Sequence, residues 1–260
     1  MLKKPRVVSI VEARINSSRL YAKVMKKINN IPMIMHLYNR VKRSRLIDDI
    51  IVATTNKPSD DNFVKFLDSK NIKYFRGSEN NVLSRVKNAA KKYRAEIIVQ
   101  LTADNPLVDP NIVDYMLKFF LKNINRCDYL TNNGFGNYKD RVLPYGMDVQ
   151  IFKYKDLANN HKHSNKKDLK EHPSLYFYRE GKEKYKLINI KVPKKWQTNL
   201  NFRLTVDTRK DLKLVKKIFL SLGKKSNQFF TYEKIIKFLK QNPKLIKMNN
   251  KIKQKTVKLN

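Results

Sequence analysis

Arg6-Val7-Val8-Ser9-Ile10-Val11, Ile50-Ile51-Val52-Ala53-Thr54 and Ile97-Ile98-Val99-Gln100-Leu101 decide the fold of this chain. Each is a short, β-branched, nearly continuous apolar run, the pattern of a strand buried on both faces. The segments between them carry helical spacing instead. Ile34 to Lys42 places Ile34, Leu37, Tyr38 and Val41 on one face. Asp60 to Ser69, Asn81 to Tyr93 and Pro110 to Leu121 read as further helices, with Pro110 suited to a first helical position. Ile72-Lys73-Tyr74-Phe75 reads as one more strand. Strands alternating with helices predict an α/β fold, a doubly wound, mostly parallel sheet with helices on both faces.

The rhythm changes after Cys127. Asp128-Tyr129-Leu130-Thr131, Val149-Gln150-Ile151-Phe152 and Lys186 to Val192 read as strands separated by polar loops. They predict a small antiparallel insertion or arm at about residues 130–200 of a single domain spanning residues 1–260. The Lys/Asn/His-rich stretch from His161 to Glu171 reads as exposed. Arg203 to Val206 then reads as a strand and Arg209 to Leu222 as a helix with Leu212, Val215, Phe219 and Leu222 on one face. Tyr232 to Leu239 is a last helix, and the basic tail from Asn250 reads as loose.

Composition excludes several classes. Of the 260 residues 41% are hydrophobic, too many for a disordered chain. No apolar run approaches the ~18–20 residues of a membrane span, and Met1 to Ile10 lacks the apolar stretch of a signal peptide. The single Cys127 can form neither an internal disulfide nor a cysteine-based zinc site. A soluble, cytoplasmic protein is expected. The net charge of +35 is large, but its 57 cations are spread from Lys3 to Lys258. A nucleic-acid site needs them clustered, so nucleic acid is not the expected partner. Abundant Lys, Asn and Ile is what an A/T-rich coding bias produces.

In a doubly wound sheet the ligand sits beyond the carboxyl ends of the strands. Three polar segments fall there. Glu12-Ala13-Arg14-Ile15-Asn16-Ser17-Ser18-Arg19-Leu20-Tyr21-Ala22-Lys23 brings two arginines, two serines and a lysine together, the donors a polyphosphate needs. Leu101-Thr102-Ala103-Asp104-Asn105-Pro106-Leu107 ends a strand in Asp104, suited either to Mg²⁺ or to a turn. Arg203-Leu204-Thr205-Val206-Asp207-Thr208 supplies Asp207, either a second metal carboxylate or the cap of the next helix. Two strand-end carboxylates beside a basic loop point to metal-assisted phosphoryl or nucleotidyl transfer.

At these residues the chain resembles the cytidylyltransferases that activate acidic sugars, the CMP-sialate and CMP-Kdo synthetases. Its nearest likeness among them is the spore coat polysaccharide biosynthesis protein F branch. That family opens with a strand and Ala-Arg-x-x-Ser-x-Arg-Leu-Pro-Gly-Lys, matched here by Ala13, Arg14, Ser17, Arg19, Leu20 and Lys23. Further likeness, in order, lies in Ala53-Thr54-Thr55, Asp60-Asp61, Phe75-Arg76-Gly77-Ser78-Glu79, Thr102-Ala103-Asp104, Tyr145-Gly146-Met147-Asp148-Val149, Glu171-His172, Thr205-Val206-Asp207-Thr208 and the stretch from Asn242 to Lys255. Each motif is weak alone, but the ordered set covers nearly the whole chain.

The resemblance implies a Rossmann-like nucleotidyltransferase. The anomeric hydroxyl of a sugar acid, nonulosonic or Kdo-like, would attack the α-phosphate of CTP and release pyrophosphate. Arg14, Arg19 and Lys23 would be catalytic. Ala13, Arg14, Ser17, Ser18, Arg19, Lys23, Arg76 and Asp104 would bind the nucleotide. Tyr145, Asp148, His172 and Arg203 would bind the sugar, the last two offering a cation to its carboxylate. Asp104 and Asp207 would hold Mg²⁺. Reading of the base is left to the backbone around Ala13 and the Phe75 to Glu79 loop. A homodimer built through residues 130–200 is also implied.

The chain departs from the pattern at Asn16, where the family has a small residue, and at Tyr21-Ala22, where it has Pro-Gly. Glycine lets a backbone come close to phosphates, and Asn tolerates a left-handed conformation. The Tyr21 ring would either stack on a ligand or fill the pocket. Two alternatives follow: transfer with another nucleotide or acceptor, or a non-catalytic homologue that uses its basic surface on anionic partners.

Overall fold

The computed structural model describes residues 4–137, 140–141, 143–223 and 229–254. Strand β1 (Val7–Glu12) leads through the polar loop to a two-stranded ribbon, β2 (Lys27–Ile28) and β3 (Ile31–Pro32). There follow α1 (Met33–Val41), β4 (Asp49–Thr55), α2 (Asp61–Ser69), β5 (Tyr74–Gly77), α3 (Val82–Lys92), β6 (Ile97–Thr102) and α4 (Pro110–Lys122). The later half holds β7 (Tyr129–Thr131), β8 (Gln150–Lys153), α5 (Tyr154–His163), α6 (Lys167–Glu171), α7 (Leu175–Tyr178) and β9 (Leu187–Asn189). It closes with α8 (Arg209–Leu222), α9 (Tyr232–Gln241) and α10 (Pro243–Ile246).

Seven strands form one sheet in the order β5-β4-β1-β6-β8-β7-β9. β1 pairs in parallel with both β4 and β6, and β4 with β5. The chain runs outward from β1 to β5 and then restarts at β6 on the other side. That reversal opens a crevice above the carboxyl ends of β1 and β6. The antiparallel insertion does not stand apart: β8 pairs antiparallel with β6 and with β7, so it extends the central sheet.

Both faces of the sheet are covered, as the unbroken apolar strands require. Val7, Val11, Val52 and Val99 face one side with α1, α4, α8 and α9. Val8, Ile10, Ile51 and Ile98 face the other with α3, Leu157 of α5 and Phe177 of α7. At roughly 25 cal/mol per Å² of apolar area buried, these two layers are the main source of stability. No helix among the described residues is long and apolar enough to cross a membrane.

Several sequence expectations are corrected or refined. The strand expected at Ile72–Phe75 starts two residues later, because Ile72 donates its amide to Leu67 O and Asn71 takes φ 52° to end α2. The stretch from His161 to Glu171 is largely exposed, as expected, and it is helical. It contributes to α5 and α6, pinned by buried Asn160, Ser164 and Leu169, too few apolar positions to show a period. Arg203 to Val206 is extended but is no strand. Leu204 and Thr205 donate to Tyr145 O, and Val206 donates to Asp104 O, so its partners are loops. The tail is not loose from Asn250, since Gln254 reaches the wall of the crevice. Lys255 to Asn260 lie outside the described residues. On α8 the buried set is Leu214, Val215, Ile218 and Phe219, with Leu212 and Leu222 only partly covered.

Candidate active site

The loop after β1 is polar on one side and anchored on the other. Ile15 and Leu20 are buried in the core, and the Ala22 amide donates to Ile15 O at 3.0 Å, closing the loop on itself. Asp60 fixes it to the sheet. This fully buried carboxylate accepts from the Ile15 amide at 3.0 Å, from the Thr54 and Thr55 hydroxyls at 2.7 Å each, and from the Thr55 amide at 2.9 Å. Burial would push the Asp60 carboxyl up, but these donors outweigh it and hold it below its ordinary value. Arg14, Ser17, Ser18, Arg19 and Lys23 are thereby presented to an open cavity of about 390 Å³ over β1 and β6.

Asp104 and Asp207 meet across the crevice although 103 positions separate them. The Val206 amide on Asp104 O, at 2.8 Å, brings the two segments side by side. Gly146 lets a third segment, the turn after Tyr145, close on the same chain at Leu204 and Thr205. It takes φ +102°, and a Cβ there would lie 2.5 Å from the Leu204 carbonyl carbon and the Thr205 nitrogen. The Lys23 ammonium then sits between the carboxylates, 2.8 Å from Asp104 Oδ2 and 2.9 Å from Asp207 Oδ1. Arg19 adds a contact to Asp207 Oδ1 at 2.8 Å. Burial would raise Asp104 and lower Lys23, but their mutual attraction reverses both: the carboxyl lies below its ordinary value and the ammonium above.

Asp207 is not the cap of α8. Thr208 is, accepting from the Asp211 amide while Asp211 accepts from the Thr208 amide at 2.9 Å. Asp207 is free to face the cavity.

Most of the residues expected at the site line this one cavity: Ala13, Arg14, Ser17, Ser18, Arg19, Lys23, Asp104, Tyr145, Asp148, His172 and Asp207. Two expected residues lie elsewhere. Arg76 is turned to the end of β4, donating to Thr55 O and Lys57 O at 3.0 Å and to Asp61 at 2.7 Å. Arg203 is 3% exposed behind the cavity wall, 2.7 Å from Asp207 Oδ2 and 3.2 Å from Asp211 Oδ1. Its charge serves a buried network, completed by Asn249 donating to Asp211 at 2.9 Å and to Arg203 O at 2.8 Å. Asp148 is already paired with Arg141, whose guanidinium stacks 4.0 Å from the Tyr145 ring. Burial lowers His172, so its ring is neutral at pH 7 and acts there as a hydrogen-bonding group.

Tyr21 neither stacks in the cavity nor fills it. It is 65% exposed and is not among the residues of the wall. Ala22 carries the cost of the lost glycine, with φ 51° and ψ 32° in the left-handed region. Ala22→Gly is expected to raise stability by about 0.5–1 kcal/mol, the left-handed strain relieved less the added entropy of glycine in the unfolded chain. A urea unfolding midpoint that falls instead would show that the loop tolerates alanine without strain.

Glu12 also lines the cavity, at the carboxyl end of β1. Gln100 Nε2 donates to its Oε1 at 2.6 Å. Burial pushes its carboxyl up to about 7, against the nearby Arg85 charge. The sequence reading gave neither Glu12 nor Asp60 a role. The available signal was position: a carboxylate at the last residue of the central strand.

Mg²⁺ fits these residues. Two carboxylates already converge on one cationic nitrogen, and Mg²⁺ characteristically takes one or two carboxylates with phosphate oxygens and water as its other ligands. No cluster of three or more acidic, histidine or cysteine ligands exists among the described residues, so an all-protein cage is not what the site offers.

Comparison with known proteins agrees with this geometry. The model of a family described as Cytidylyltransferase matches residues 8–252. An uncharacterized protein of Methanocaldococcus jannaschii is 34% identical over 252 residues, covering 96% of this chain and 97% of its own. The spore coat polysaccharide biosynthesis protein SpsF of Bacillus subtilis is 25% identical over 241 residues, covering 91% and 95%. The likeness to the spore coat branch is therefore weaker than that to the archaeal protein. A solved structure of a cytidylyltransferase from Leptospira borgpetersenii superposes with a TM-score of 0.85 at 29% identity, covering 97% of this chain and all of that one.

Proposed function

The chain belongs to the cytidylyltransferase family, and from that premise we propose that it transfers the cytidylyl group of CTP to the anomeric hydroxyl of an acidic sugar of the nonulosonic or Kdo-like class, releasing pyrophosphate. The observation that carries this reading is the convergence of Asp104 and Asp207 on one cation beside the Arg14, Arg19 and Lys23 loop. Arg14, Arg19 and Lys23 bind the triphosphate and offset the charge that develops on the departing pyrophosphate. Asp104 and Asp207 hold Mg²⁺, which supplies charge stabilisation at the phosphates when bound. Lys23 then exchanges its carboxylate partners for phosphate oxygens.

The sugar lies against Tyr145, Asp148 and His172, whose acceptor and donor groups suit hydroxyls. With Arg203 buried and the His172 ring uncharged, the sugar's carboxylate is left to the cations of the loop, and His172 offers it a hydrogen bond in place of a charge. The product is a building block for surface polysaccharide or glycan, made by a homodimer paired through residues 130–200.

The test is pyrophosphate release from the purified protein with Mg²⁺, each of four nucleoside triphosphates and a panel of sugar acids and neutral sugars. Release with CTP and one acid is the expected result. Release with CTP and a neutral sugar only would overturn the acidic acceptor.

A further inference from the structure

The cavity has three walls of different chemistry. The metal and phosphate wall is Lys23, Arg19, Asp104 and Asp207. The wall of Tyr145, Asp148, Glu171 and His172 is polar throughout, as a polyhydroxylated acceptor needs. The third, on the α3 side of β1, combines an apolar surface, Val82, with Glu12 and Arg85. A flat aromatic base, apolar on its faces and polar only at its edge, matches this last wall.

The polar network on that wall is incomplete. Arg85 is 2% exposed, and its Nη1 donates to Ser78 O, but its buried Nε has no hydrogen-bond partner. Gln100 is 4% exposed and spends its amide N–H on Glu12 Oε1, while its own Oε1 is buried without a partner. Among the described residues Glu12 has a single side-chain hydrogen-bond partner, leaving acceptor capacity toward the cavity. Buried groups left unpaired are rare in folded proteins, and for Arg85, which lines the cavity, a ligand is one way to satisfy it, whereas Gln100 acts from behind the wall through Glu12.

Resting on transfer from CTP, we propose that Glu12, positioned by Gln100 and flanked by Arg85, selects the nucleotide base by accepting a hydrogen bond from the exocyclic amine of cytosine. Uracil places a carbonyl oxygen where cytosine has that amine, so a carboxylate there attracts one base and repels the other. Arg85 supplies the complementary donor for the ring's acceptor edge. Base choice therefore rests on a side chain at the end of the central strand and not on backbone contacts alone.

The groups facing Glu12 are Arg85 from α3, Gln100 from β6, Asp104 from the turn after β6 and Arg14 from the loop after β1. As pH rises from 6 to 8 the carboxyl, with its value near 7, loses the proton that would let it donate to uracil. Discrimination should grow over that interval.

The experiment is calorimetric binding of CTP and of UTP, without acceptor, to the wild-type chain and to Glu12→Gln. The amide keeps an acceptor for Gln100 but can turn to donate to uracil as readily as it accepts from cytosine. At pH 8 the wild type is expected to favour CTP over UTP by about 30-fold, and Glu12→Gln by less than about 3-fold. The wild-type ratio should shrink on going to pH 6, a result that needs no variant to fold. A ratio unchanged by Glu12→Gln, or equal binding of both nucleotides by the wild type at pH 8, overturns the assignment while leaving CTP as a substrate. A wild-type chain that binds neither nucleotide overturns it together with the reading on which it rests.

Discussion

Asp104→Asn is expected to lower pyrophosphate release by about 10³-fold or more, equivalent to several kcal/mol of charge stabilisation withdrawn from the transition state. The fold should survive. Asparagine keeps an acceptor for the Thr102 hydroxyl, which sits 2.6 Å from Asp104 Oδ1, and the main-chain oxygen still receives the Val206 amide. What is lost is one of the two charges proposed to hold a divalent cation, and one of the two that set the position of Lys23. A steady-state assay with CTP and the acceptor found in the panel, paired with a thermal melt, separates the cases. Full turnover in a folded Asp104→Asn enzyme would remove Asp104 from the metal site.

Arg203→Met is expected to destabilise the chain by about 3–5 kcal/mol, the range for breaking a buried ion pair by removing one partner. The sequence offered Arg203 as a cation for the sugar. The structure puts it 3% exposed between Asp207, itself 2% exposed, and the fully buried Asp211. Methionine fills similar volume but leaves both carboxylates short of a cation. Lys23 and Arg19 still hold Asp207, so the effect should fall toward the lower end. The unfolding midpoint in urea measures it. A raised KM for the sugar with an unchanged midpoint would restore Arg203 to substrate binding.

These two predictions differ for a reason visible in the fold. Asp104 projects from the end of β6 into the crevice, so its charge is available to a ligand. Arg203 lies on the chain that crosses beneath Asp207, where its charge can serve only its neighbours. In the sequence both were simply charged residues flanking a short apolar run.

The central strands β1, β4 and β6, the helices between them and their parallel order were legible, because period and apolar continuity are local properties of the chain. The loop after β1 was legible as a cluster of cations facing the crevice for the same reason: its charges sit within ten residues at a strand end. Elements with one apolar residue per turn, such as α5 and α6, were not. Their buried residues are only Leu157 and Asn160 on α5 and Leu169 on α6, with the Asn160 side-chain carbonyl held by the Tyr185 hydroxyl, and these form no hydrophobic stripe. Arg203 to Val206 looked like a strand because extended chain and paired chain have the same composition. Only the partners of its amides distinguish them.

The sequence by itself determined a doubly wound sheet, a basic loop beyond its first strand, and two carboxylates, Asp104 and Asp207, that each follow a short apolar run. Tertiary structure alone decided which charges reach the cavity. Asp207 comes to Asp104 through a main-chain hydrogen bond, and a glycine lets a third segment close on the same chain. Arg76 is turned outward by carbonyls at the end of β4, and Arg203 is buried beneath the carboxylate it serves. Glu12, silent in the sequence, becomes a wall of the site because β1 ends there. Hydrophobic patterning is written along the chain, but which ionic partners meet depends on distances between segments far apart in it.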